Sequence, residues 1–165
     1  MMEVASQDSS VSSLCASSEW HAIGSEVELR EKGRKTVLIS SRKVTVFHQD
    51  DRFYVLDFHC YHAGGPLDIG NIEDINGVTC IVCPWHKYKI SLATGEGFYQ
   101  AVDPGNPRKA PCWRSKGVKQ RTHSVEVRDG MVYMRLSSSK EKRESDYYYS
   151  KEYRQLMNFA DDDVP

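Results

Sequence analysis

Two short segments carry residue types that can bind a transition metal: Cys60-Tyr61-His62 and, further along, Cys83-Pro84-Trp85-His86. Each offers one thiolate and one imidazole, soft and borderline donors for zinc or iron, so four ligands are available in all. A lone Cys-x-His would say little; the paired form, set among Gly and Pro residues, is specific. Cys80 adds a Cys80-Ile81-Val82-Cys83 spacing that zinc or redox chemistry could use. It lies in a Val/Thr/Ile run, however, and reads as a buried strand residue. His59 adjoins Cys60, but neighbouring side chains of an extended segment point oppositely, which leaves His59 a structural or surface role. His21, His48 and His123 lie in strand-like runs away from the pair and are given no role, Cys15 sits in the N-terminal stretch, and Cys112 reads as a free surface or loop thiol.

Around these four residues the chain resembles the Rieske iron–sulfur family, in particular its small soluble ferredoxins. Gly64, Gly65, Pro66 and Leu67 follow the first pair as in the family's first cluster loop, with Gly70 a further glycine of that pattern. Cys83-Pro84-Trp85-His86 matches the second loop, and Leu92, Thr94 and Gly95 its continuation. The resemblance implies one [2Fe–2S] cluster per chain, with Cys60 and Cys83 on one iron and His62 and His86 on the other. Neutral imidazoles in place of two thiolates remove negative charge and raise the reduction potential, to roughly −150 to +300 mV against about −400 mV for all-cysteine plant-type clusters. The family's quinol-oxidising branch adds a disulfide between its loops, and Ser and Tyr donors two and four residues after the second His. Here those two positions hold Tyr88 and Ile90 and the extra cysteine pair is missing, so a potential in the lower part of the range is expected. Many relatives carry Gly directly after the second His, where this chain has Lys87; if that position needs positive φ, Lys87 bears strain of about 1 kcal/mol. Structural zinc on the same four residues is the rival reading.

The elements that must position these loops read as strands. Lys35–Ser40, Lys43–His48, Arg52–Asp57, Val78–Val82, Thr122–Arg128 and Met131–Leu136 are β-branched or aromatic-rich runs between turn-forming clusters. Val44 and Val46 alternate with Thr45 and Phe47, the pattern of a two-faced strand. Gln49, Asp50 and Asp51 predict one hairpin turn and Asp129-Gly130 another. The expected class is all-β: a Rieske-like fold of antiparallel sheets, with a small cluster-binding subdomain formed by two loops near 60–67 and 83–90. The expected organisation is a disordered leader over 1–18, the cluster domain over 19–137, and a linker, helix and acidic tail over 138–165. Tyr149, Tyr153 and Leu156 fall at helical spacing within a predicted helix over Glu141–Ala160, ended by Asp161, Asp162 and Asp163.

With 165 residues, 39% hydrophobic and 27% charged, the chain has material for one domain and a modest core. Its longest apolar runs fall far short of the ~20 residues of a bilayer span. A net charge of −1 removes the main argument for nucleic acid. Five cysteines, an odd number unevenly spaced, suit a reducing compartment better than a disulfide framework. The N-terminal stretch lacks an apolar signal core and carries Glu3 and Asp8 with no Arg, so a cytoplasmic protein is expected.

Arg108, Lys109, Arg114, Lys116, Lys119 and Arg121 place six positive charges and no acid in one stretch of 104–121, read as a basic loop insertion before the final hairpin. It is either a solvated loop or an electrostatic docking patch for a redox partner. The 28 residues after position 137 are too few for the mononuclear-iron domain of the family's oxygenases, and no nucleotide-binding fingerprint is present. The resemblance therefore implies no enzyme but a soluble, monomeric one-electron carrier, taking an electron from a flavoprotein reductase to an acceptor such as an oxygenase. The alternative is a non-catalytic interaction or sensor module braced by the cluster or by zinc.

Overall fold

The computed structural model describes residues 19–157; the leader with Cys15, the end of the expected C-terminal helix and the Asp161–Asp163 tip lie outside the described residues. Among the described residues, eleven strands form two antiparallel sheets. The first, six-stranded, runs in the order β1-β11-β10-β4-β3-β2; the second, five-stranded, runs β5-β6-β7-β8-β9. The strands are β1 His21–Ser25, β2 Arg34–Ile39, β3 Arg42–Gln49, β4 Arg52–Asp57, β5 Asn71–Ile75, β6 Val78–Val82, β7 Lys89–Ser91, β8 Glu96–Ala101, β9 Cys112–Val118, β10 Thr122–Arg128 and β11 Met131–Arg135. The all-β class is as expected, and β4, β6 and β10 begin and end where the sequence places them. Asp129-Gly130 turns the β10–β11 hairpin with positive φ at both residues.

Two cores share the first sheet. Phe47 and Leu56 join Cys60, Tyr61, Leu67, Ile81, Cys83, Ile90 and Leu92 in one. Val44, Val46 and Val55 join Ile23, Leu29, Val132 and Met134 in the other. β3 is two-faced, with Val44 and Val46 in one core and Phe47 in the other, and Val44, Thr45, Val46 and Phe47 are all buried because each face of the strand meets a core. The metal-ligand cysteines expected from the sequence thus sit inside the first core.

The sequence pattern misses the helix α1, Glu26–Lys32. Seven residues with one buried side chain, Leu29, are too few to show a period. Its ends are nevertheless signalled. The Ser25 hydroxyl accepts from Glu28 N–H, and Gly33 closes it at φ +77°, its N–H bonding Leu29 C=O. The continuous helix over 141–160 is also corrected. A 3-10 turn, Glu144–Tyr149, leads into a short helix α2, Lys151–Leu156, with Ser150 between them capping α2 by accepting from Tyr153 N–H. Nor is 104–121 one loop: β9 pairs with β8 along its length, and the chain enters the core at Gln120.

Candidate metal centre

Loop 1 connects β4 to β5 and loop 2 connects β6 to β7. Each is closed at its neck by backbone bonds. In loop 1, Cys60 N–H bonds Gly65 C=O (2.8 Å), Gly64 N–H bonds Cys60 C=O (2.8 Å) and Leu67 N–H bonds Phe58 C=O (3.0 Å). In loop 2, Cys83 N–H bonds Tyr88 C=O (2.9 Å) and Lys87 N–H bonds Cys83 C=O (3.1 Å). The far end of loop 1 is tied to β2 by Arg34, whose guanidinium donates to Asp68 C=O (2.7 Å) and Gly70 C=O (2.6 Å). The loops touch at Gly65: a side chain there would place its Cβ 2.7 Å from Cys83 Sγ, so only glycine lets the two loops close on each other.

The four residues expected to bind metal come together as two pairs. The Cys60 and Cys83 thiols are both buried and compete for one proton. Sharing that proton, with burial added, pushes Cys60 up, while the same sharing and the Trp85 N–H bring Cys83 down to about 7. The backbone N–H groups of His62 and Ala63 oppose that rise at Cys60. These donors stabilise thiolates, and a metal would displace the shared proton. The His62 and His86 rings lie exposed at the loop tips, 5.1 Å apart and nearly perpendicular. Desolvation and then the charges of His86 and Lys116 hold His62 below its usual value, towards the neutral form that coordinates. Among the described residues no three His, Cys, Asp or Glu side chains close on a point suited to one ion. Sulfur donors inside and nitrogen donors outside suit a body with two unlike metal positions. Lys87 has φ +59° and His86 φ +78°, so the position that Lys87 occupies does demand the left-handed conformation.

The sequence conceals what holds loop 1. Gln120, wholly buried, accepts from Tyr61 N–H through Oε1 (2.9 Å). Its Nε2 donates to Asp57 C=O (3.0 Å) and His59 C=O (2.8 Å), so one amide grips the backbone on both sides of Cys60. Gln120 is in turn seated on Gly95, whose C=O takes Gln120 N–H (3.1 Å) and where a Cβ would meet Gln120 C=O at 2.0 Å. Below the loop lies Asp57, with no exposed surface. It accepts from Arg42 Nε (2.7 Å) and Nη2 (2.6 Å), from Ser145 (2.7 Å) and from His123 Nε2 (2.8 Å). His123 Nδ1 accepts from Ser137 N–H, which leaves Nε2 as the protonated, donating nitrogen. His123, given no role from sequence, is thus a buried brace. His59 has its expected structural role, with Nδ1 on Gly64 C=O (3.1 Å) and its ring beside Tyr148 and Tyr149. Arg121, counted among the docking charges, is buried instead and binds Asp146 through Nε (2.7 Å) and Nη2 (2.8 Å).

Burial opposes ionisation of Asp57 and Asp146. Bonds from His123 and Arg42 outweigh it at Asp57, and those from Arg121, Arg143 N–H and Arg42 at Asp146, so both lie below the usual carboxylate range. A carboxylate depressed on folding contributes stability above its unfolded pKa, about 3.9, and loses it as pH falls through the folded value. The urea midpoint of the full chain is expected to hold from neutrality to about pH 5 and drop below about pH 4. Asp146→Asn should flatten the drop; an acid limb of unchanged depth would contradict this.

The β domain thus presents two apposed loops with buried thiols and exposed imidazoles. A family model described as soluble Rieske-type ferredoxin matches residues 21–139. A Homo sapiens relative described as a Rieske domain-containing protein is 46% identical over 136 residues, 82% of this chain and 87% of its own length. In solved structures, the ferredoxin of carbazole 1,9a-dioxygenase from Nocardioides aromaticivorans IC177 shares the fold at a TM-score of 0.54 and 19% identity, over 73% of this chain and all of that one. NdmB of Pseudomonas putida CBB5 does so at 0.55 and 21%, over 72% of this chain; the match spans only 35% of NdmB's length. The chain belongs to the family of soluble Rieske-type ferredoxins. It is an electron-transfer component rather than a catalyst, of a family that carries a [2Fe–2S] cluster.

Proposed function

We propose that Cys60 and Cys83 hold one iron of a [2Fe–2S] cluster, that His62 and His86 hold the other, and that the chain carries single electrons from a flavoprotein reductase to an acceptor such as an oxygenase. The observation that carries this reading is the division of the four donors into a buried thiol pair and an exposed imidazole pair. When bound, the cluster supplies a one-electron couple. The chain's own residues do the rest. The core keeps water from the thiolates, and Gln120 fixes the loop, so little rearrangement accompanies a change of charge. Residues 19–137 form the cluster-bearing unit, and 1–18 and 138–165 flank it. Tyr88 and Ile90 offer no bond to the sulfurs: Tyr88 stacks on His62 instead, and Ile90 is buried in the core. A potential in the lower part of the mixed-ligand range follows. No described helix is long and apolar enough to cross a membrane, and we place the protein in the cytoplasm as a monomer.

The partner's approach is suggested by a groove of about 210 Å³ beside His86, lined also by Lys87, Tyr88, Tyr99, Trp113 and Lys116. His62 stacks on Tyr88 with ring centroids 3.8 Å apart, and the Lys116 ammonium lies 4.5 Å from the Tyr88 centroid. A positively charged, aromatic rim beside the outer ligands suits an acidic partner surface. In Lys116→Glu, oxidation of the reduced protein by ferricyanide should slow about three- to tenfold at low salt, an effect that fades at high salt. Lys32→Glu, on α1 over the other core, changes the net charge equally and should leave the rate nearly unchanged. Equal effects of the two variants would remove the groove from the reading. The function itself is tested by titrating the coloured protein with dithionite: one electron per chain, reversible by an acceptor, is expected. A cluster that cannot be cycled would favour the sensor alternative.

A further inference from the structure

Lined by partners of Asp57, among them Arg42 and His123, lies a larger cleft, about 500 Å³, which the electron-carrier reading does not use. Its walls are the β2–β3 turn, the 136–142 stretch and α2, and its size falls within the range of small-molecule sites. Five cationic side chains line it, Arg42, Arg121, Lys140, Lys142 and Arg154, against one lining carboxylate, Asp146. Asp146 and the buried Asp57 take up the two arginines nearest the core, through the bonds described above. Lys140, Lys142 and Arg154 have no carboxylate partner among the described residues, so the cleft keeps an excess of three positive charges. Arg42 bonds through Nε and Nη2, which leaves its Nη1 as a further donor. Ser40 and Ser41, both held at positive φ in the two-residue turn, and Ser137 and Ser139 add hydroxyls to the lining.

We propose that this cleft binds a small anion bearing a diphosphate group. The three cations without a carboxylate partner among the described residues match the charge of a diphosphate near neutrality. Guanidinium, ammonium and hydroxyl donors together suit phosphate oxygens better than a single carboxylate. The volume exceeds what one phosphate fills. The ligand is thus free pyrophosphate or a nucleoside diphosphate, which share this recognition chemistry.

Calorimetry of the cluster-loaded full chain with inorganic pyrophosphate, and separately with ADP, tests it at physiological ionic strength. At least one should bind with Kd below about 1 mM. The double variant Lys142→Ala/Arg154→Ala should weaken binding at least about tenfold, while Lys32→Ala should not change it. These are exposed or half-buried side chains, and an unaltered cluster spectrum verifies folding. Tighter binding of ADP than of pyrophosphate assigns the site to a nucleotide, and equal binding assigns it to free diphosphate. Deleting 158–165, which the proposal does not use, should not lower the affinity. Absence of heat with both probes, equal weakening in Lys32→Ala, or loss of binding on that deletion would overturn the proposal.

Discussion

Gln120→Ala is expected to destabilise the full chain by about 3–5 kcal/mol and to shorten the lifetime of its cluster markedly. One truncation removes three hydrogen bonds and leaves Tyr61 N–H, Asp57 C=O and His59 C=O facing a void. Each unsatisfied buried group costs about 1–3 kcal/mol. The residues released flank Cys60, so the loss should appear in metal retention as well as in the denaturation midpoint. Gln120→Glu separates geometry from size. It keeps an acceptor for Tyr61 N–H but turns carboxylate oxygens on two carbonyls, so it should rescue little. A midpoint within about 1 kcal/mol of the parent, with unchanged cluster loss to a chelator, would show that the loops hold themselves without this clamp.

The second large effect is expected at Asp57→Asn, at about 3–4 kcal/mol. Asn cannot accept the paired Arg42 donors together with those of His123 and Ser145. Its amide also puts N–H groups where acceptors are needed. The Arg42 guanidinium, left with Asp146 alone, keeps a desolvation cost that Asp57 had offset. Because Ser145 and Asp146 tie the C-terminal segment to this carboxylate and its arginines, that segment should also become cleavable by protease between 138 and 157. Ser145→Ala, which breaks only the hydroxyl's bonds to Asp57 and Arg121 N–H, is the milder companion at about 1–2 kcal/mol. Equal stability of Asp57→Asn and parent would mean that the ion-pair network under loop 1 is incidental.

The strands and the four donor residues were legible because each leaves a local signal: period-2 alternation, turn dipeptides, and Cys and His at fixed short spacing. Gln120 left none. Lying between Lys119 and Arg121 in a basic run, it resembles a solvated residue. Only the return of the chain after β9 brings it to residues 57–61. Arg121 misleads for the same reason, since its partners Asp146 and Glu141 lie 20 or more positions ahead. His123 sits at a buried position of a strand whose alternation cannot say whether an imidazole serves metal or carboxylate. For α1 the signal was present: Ser25 and Glu28 bracket its start and Gly33 its end. The tyrosines beyond Ser137 suggested one long helix, because helical spacing does not register that Ser150 restarts the chain between two short turns. Their side chains are committed elsewhere: Tyr148 covers Gly64, and the Tyr149 hydroxyl donates to Lys43 C=O (2.5 Å).

In the proposed metal centre, two buried thiols and two exposed imidazoles serve different irons. Mössbauer spectroscopy of protein grown on isotopically enriched iron, recorded before and after one-electron reduction, tests it most directly. Two irons per chain are predicted, unequal from the start, with the ferrous site appearing on the one that lacks thiolates. Two equivalent irons, or a colourless chain carrying a single zinc, would contradict it.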